Sequence, residues 1–140
     1  MLGLLLFLIY INDLPTNISS TVRLFADDCV LYSNIVTDLD SNRLQDDLDK
    51  LSTWADKWQM KFNTDKCNVL RISGSRSPTN STYYLDNIAL QEVSSHSYLG
   101  VEISNDLKWS LHIYLILLPR PTKLLGSSKG IFFMYKRYQN

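Results

Sequence analysis

The chain has 140 residues, with 14 Lys plus Arg against 14 Asp plus Glu, so its formal net charge at neutral pH is zero. A chain of this length buries roughly two thirds of its unfolded surface around one core, and the neutral balance excludes attraction to a polyanion by bulk charge, so nucleic-acid binding must be argued from local residues. The two cysteines, Cys29 and Cys67, lack the short-spaced partners of a zinc site or a disulfide framework and read as buried free thiols in a reducing compartment.

The first eleven residues are apolar, with Leu2, Leu5, Leu6, Ile9 and Tyr10 at helical spacing, and Pro15, Asn17 and the following serines end the run. The stretch imitates the apolar part of a secretory signal, but it has no basic start and runs straight into Asn12 and Asp13. It is also well short of the ~20 residues a membrane span needs. A buried helix, already under way where the chain starts, is the expectation, with no membrane association.

Residues 22–25 and 29–32 are short apolar β-type runs separated by Ala26, Asp27 and Asp28, which predicts a tight hairpin with acids at its tip. Over residues 39–60, Leu44, Leu48, Leu51, Ala55 and Trp58 recur at alternating spacings of four and three, one apolar face of a long amphipathic helix. Thr37 with Asp40 forms a capping pair for its start. Asp46, Asp47, Asp49, Lys50, Asp56 and Lys57 fall on the other face and read as a solvated surface. Residues 67–72 predict a strand, and residues 73–82, rich in Gly, Ser, Pro and Asn, an exposed loop. Residues 83–85 and 88–90, joined by Asp86 and Asn87, predict a hairpin. Residues 98–103 predict one more strand, with Gly100 marking a close backbone approach. No internal repeat is present.

The adjacent carboxylates at the first hairpin carry the chemistry. Neighbouring like charges raise each other's pKa unless a cation offsets them. Magnesium takes carboxylate oxygens and leaves positions for substrate phosphates, and in two-metal catalysis such ions activate an attacking hydroxyl and stabilise a leaving oxygen. The plainer reading makes Asp27 and Asp28 turn-formers, and the dipeptide alone favours it.

The surrounding residues change that balance. Leu24-Phe25-Ala26-Asp27-Asp28 followed by Val30-Leu31-Tyr32 resembles the palm motif of reverse transcriptases from non-LTR, LINE or jockey-like, retrotransposons. Gly3-Leu4-Leu5-Leu6-Phe7 leading to Tyr10-Ile11-Asn12-Asp13-Leu14-Pro15 resembles the family's segment after its nucleotide-binding motif. Trp54, then Trp58 through Asn63, then Lys66-Cys67 is similar to a further block, and Tyr98-Leu99-Gly100-Val101 with Ile103 resembles the primer-grip strand. The resemblance covers about residues 2–113 in order.

It implies that Asp27 and Asp28 are catalytic Mg2+ ligands of a two-metal site, and that Phe25 and Ala26 shape the primer terminus. Lys66 falls where the family has a lysine near the incoming nucleotide's phosphates and becomes a candidate general acid, although a surface lysine suits the position equally. Leu99 and Gly100 would hold the primer backbone, or simply belong to a core strand. Trp54, Trp58 and Phe62 suit core packing better than base stacking. An RNA template, a DNA primer and dNTPs are the implied partners of the intact parent, with a nuclear or cytoplasmic, intracellular location; no specific protein partner is inferable.

The pattern also departs from the family. The upstream strand with a third carboxylate is missing, which leaves an unpaired sheet edge. The glutamine-glycine before Leu2 is missing too, and Leu4 replaces a usual proline. After Trp109, a DNA string encoding a family-like thumb helix, read one base later, yields residues 117–132 as they stand, which implies a frame slip between about His112 and Leu117. Pro119 and Pro121 would break that helix. The expectation is therefore an α+β fold: residues 1–113 form a partial polymerase palm, with its acidic hairpin packed on helices and followed by primer-grip strands, and residues 114–140 are a frame-shifted thumb remnant. The leading function is RNA-directed DNA polymerase by family. The alternatives are a catalytically inactive remnant with weak nucleic-acid binding and, less well supported, a small secreted protein.

Overall fold

The computed structural model describes residues 2–25, 28–73, 80–99, 101–107 and 130–136. Helix α1 spans Leu2–Ile11 and a 3-10 turn follows over Leu14–Asn17. The apolar run is thus a helix, but Leu5, Leu6 and Ile9 are 58%, 57% and 73% exposed, which corrects the expectation that its apolar face is buried. Among its described side chains, those that pack lie at the C-terminal end. Tyr10 stands edge-on to Trp54 and Trp58, its hydroxyl donates to the Trp58 carbonyl at 2.7 Å, and Ile11 is buried. No helix among the described residues is long and apolar enough to cross a membrane.

Helix α2 spans Asp38–Lys57, and both halves of its capping box form: the Thr37 hydroxyl accepts from the Asp40 N–H, and the Asp40 carboxylate accepts from the Thr37 N–H. Its C-terminus closes with Met60 N–H on the Ala55 carbonyl and Gln59 N–H on the Asp56 carbonyl. This Schellman pattern puts Gln59 at a positive φ of 55°. Leu44, Leu48, Leu51 and Ala55 are buried as the spacing predicts.

Strands β1 (Thr21–Phe25), β2 (Asp28–Asn34), β3 (Asn68–Ile72), β6 (Gln91–Val93) and β9 (Gly130–Lys136) form one sheet in the order β1-β2-β9-β3-β6. All its neighbours are antiparallel except β3 and β6. Alternation along β2 splits the core between the two faces. Cys29 and Leu31 join Leu44, Leu48, Leu51, Cys67 and Val69 under α2, while Val30 joins Leu70, Tyr98 and Ile103 on the other side.

The hairpin β4 (Tyr84–Leu85) and β5 (Ile88–Ala89) turns at Asp86 and Asn87, both at positive φ, as a two-residue primed turn demands. Gln45 of α2 holds it through both the N–H and the carbonyl of Tyr84. Residues 98–103 are not one strand: β7 (Ser95–Tyr98) pairs back on β8 (Val101–Ser104), because Leu99 adopts a left-handed φ of 49° and reverses the chain. An unpaired edge is expected where the upstream strand is missing; among the described strands β2 is paired on both sides, with β1 and with the seven-residue ladder of β9. Within the expected tail, Gly130–Lys136 is thus a central strand; residues 114–129 and 137–140 lie outside the described residues.

Candidate catalytic end of the sheet

The β1–β2 register pairs Phe25 with Asp28. Asp28 is therefore a half-buried strand residue rather than a loop-tip residue, while Ala26 and Asp27 lie outside the described residues. Along β2, Asp28 shares a face with Val30, the face covered by the β7–β8 hairpin. Phe25, cross-strand from Asp28, is 58% exposed and offers an apolar surface beside the carboxylate.

Tyr98 is buried with Val30, Leu70 and Ile103 on that face, and burial, then the nearby Asp28 charge, raises its pKa above the ordinary phenol value. Asn68 and His96 approach to 3.3 Å, tying β7 to the start of β3. Leu99, next to Tyr98, is 42% exposed, and Gly100 lies outside the described residues. Lys66 ends the 3-10 turn Thr64–Lys66 and is half-buried. That turn leads directly into β3, whose ladder on β9 begins at Asn68.

Register thus brings Phe25 and Asp28 together at the end of the β1–β2 ladder, while Leu99 lies at the turn of the separate β7–β8 pair and Lys66 in the turn before β3. Trp54 and Trp58 pack α1 against α2, and the Trp54 indole N–H donates to Asp13 at 3.0 Å. The cysteines stay out of the chemistry. Both are buried and free, and burial pushes each thiol up to about 12, leaving no thiolate at neutral pH.

The carboxylate is a suitable donor for a hard cation, but its surroundings do not complete a site. Among the described residues no three His, Cys, Asp or Glu side chains gather, and the residue opposite Asp28 on β9 is Lys136. Sequence reasoning did not single out Tyr98 by itself, although it lay within a motif that had been recognised.

The family described as reverse transcriptase (RNA-dependent DNA polymerase) matches residues 1–103. Three Drosophila melanogaster proteins are similar to the chain. The probable RNA-directed DNA polymerase from transposon X-element is 30% identical over 118 residues, which is 80% of this chain and 13% of that protein. The RNA-directed DNA polymerase from mobile element jockey is 25% identical over 136 residues, 91% of this chain and 15% of its own length. The probable RNA-directed DNA polymerase from transposon BS is 27% identical over 125 residues, 80% of this chain and 14% of its own. The chain thus spans about one seventh of the length of these relatives. No solved structure matches it.

Proposed function

Since the chain belongs to the reverse transcriptase family, we propose that it is part of an RNA-directed DNA polymerase of a mobile element, and that its sheet is a portion of the polymerase palm. The observation that carries this reading is the pairing of Asp28 with Phe25 at the end of the β1–β2 ladder, inside the stretch that the family matches. In the longer protein Asp27 and Asp28 hold divalent cations, magnesium by preference, because hard carboxylate oxygens suit it. Phe25 and Ala26 line the primer terminus, the β7–β8 turn at Leu99 and Gly100 supports the primer backbone, and Lys66 faces the nucleotide phosphates. RNA template, DNA primer and dNTPs are its partners.

For the 140 residues by themselves a second reading is favoured by a specific observation: Asp28 lies opposite a lysine rather than a further carboxylate. The isolated chain is then a catalytically inactive remnant with at most weak nucleic-acid binding. Primer extension on an RNA template, with magnesium and dNTPs, separates the two. A longer protein that continues the reading frame upstream of residue 1 should incorporate nucleotides and lose that activity in Asp27→Asn and in Asp28→Asn. The 140-residue chain should not incorporate. Synthesis by the longer protein that survives both substitutions would remove the acids from the mechanism.

A further inference from the structure

On α1 the side chains of Leu5, Leu6 and Ile9 stand more than half exposed, while Tyr10 packs on Trp54 and Trp58 and Ile11 is buried. Residues four apart on a helix lie one above the other and adjacent ones about 100° apart, so Leu5, Ile9 and Leu6 form one stripe opposite Ile11. The helix carries no charged residue from Leu2 to Ile11. A continuous apolar stripe left open at a surface marks a contact face.

Gly3 adds an independent observation. It lies three residues before Leu6, hence beside the stripe, and a Cβ there would meet no atom within 4 Å. Glycine weakens a helix relative to alanine, yet among the described residues nothing keeps a side chain out of this position. Open space over a helical glycine is what lets a second backbone come close.

The chemistry of the face narrows what covers it. With no basic residue α1 offers nothing to phosphate, which sets nucleic acid aside, and its ten residues are far short of the ~20 that cross a bilayer. A second copy of the chain is poorly served too. A helix of this size is about 15 Å long and about 10 Å across, so its whole outer half falls well below the ~800 Å2 per partner of a stable dimer. A neighbour in the same polypeptide needs no such area, because the connection supplies a high effective concentration. Such polypeptide is at hand in the relatives, of which this chain spans about one seventh. We propose that the stripe of Leu5, Leu6 and Ile9, with Gly3 at its margin, is an internal interface that an apolar segment from outside these 140 residues covers in the longer protein, an assignment that rests on reading the chain as part of one.

Thiol labelling tests this. Ile9→Cys is placed in the 140-residue chain and in the longer protein that contains it, each checked for unchanged circular dichroism, and Leu5→Cys replaces it if either fold is disturbed. Cys29 and Cys67 are buried, with thiols pushed up to about 12, so they stay unreactive in the folded chain, and peptide mass spectrometry reads the new thiol by itself. Labelling by a small maleimide should be fast in the 140-residue chain at every protein concentration and about tenfold or more slower in the longer protein. Equal rates overturn the proposal. So does slow or concentration-dependent labelling of the shorter chain, which would put the cover within that chain or in a second copy. Gly3→Leu should leave the shorter chain's rate unchanged and return the longer protein's rate towards it; continued protection overturns the close approach at Gly3. Primer extension by the same longer protein reports separately on the polymerase reading. Protection without synthesis removes that reading and upholds the interface, and synthesis without protection does the reverse.

Discussion

Asp47 shows how one buried side chain couples two elements. It is wholly buried on α2, yet it accepts hydrogen bonds from the N–H groups of Ser19 and Ser20, from the Ser20 hydroxyl and from the Lys50 ammonium. Burial alone would raise its pKa, but the Lys50 ammonium and the serine donors outweigh it and hold the carboxyl below its ordinary value. A depressed folded-state value means that the charged form stabilises the fold. The contribution is complete above the unfolded value of about 4 and is lost as pH falls through the folded value. Asp47→Asn should therefore cost about 2 kcal/mol at neutral pH, the scale of hydrogen bonds to a charged group, with some discount for the partly exposed Lys50. It should also remove part of the stability loss below about pH 4. Urea melts of both chains at pH 7 and near pH 3 measure this, and equal differences at the two pH values would contradict it. The clamp fixes the entry to β1, the strand that ends at Phe25 beside Asp28.

At the scale of elements, α2 is where local signals and tertiary packing agree, and its one local conflict is Gln59. The Schellman closure requires a left-handed residue there, and Gln carries a Cβ that this conformation penalises. Gln59→Gly should raise stability by about 1 kcal/mol, or some 3 °C in melting temperature for a domain of this size. A thermal melt checks it, and no gain would mean that the greater freedom of glycine in the unfolded chain cancels the relief. The apolar spacing, the capping pair and the Asp86-Asn87 turn were legible because each is a local rule. Asp47 was not: it neighbours the apolar stripe at Leu44, Leu48 and Leu51, and an acid there looks solvated until Ser19 and Ser20 pack on it. The reversal at Leu99 was hidden because no residue type announces positive φ in a leucine. The exposure of Leu5, Leu6 and Ile9 depends on what packs beside the helix, which its own periodicity does not specify. At the candidate site the sequence places Phe25, Asp28, Lys66 and Leu99 in ordered motifs. That Phe25 pairs with Asp28, and that Lys136 lies opposite Asp28 in the β2–β9 ladder, follows from register alone.

The whole molecule depends on a strand that sequence reasoning assigned to an aberrant tail. Removing β9 would leave β1–β2 and β3–β6 as separate pairs with two inner edges unpaired, since no other described strand joins them. The two cores would open together, because Val30 and Leu70 on one face, and Leu31 and Val69 on the other, come from strands that β9 separates. An out-of-frame origin for the residues after about 114, which we retain as a proposal, does not conflict with this role. Gly-Ile-Phe-Phe-Met-Tyr-Lys is rich in aromatic and branched side chains that favour a pleated, buried setting whatever their history. A chain ending at Leu107 should therefore lose cooperative melting and associate through its open edges. Amide exchange should lose protection at residues 28–34 and 68–72, and size exclusion should show species larger than a monomer. A truncated chain that stays monomeric and melts like the full one would make β9 a passenger on an already complete sheet.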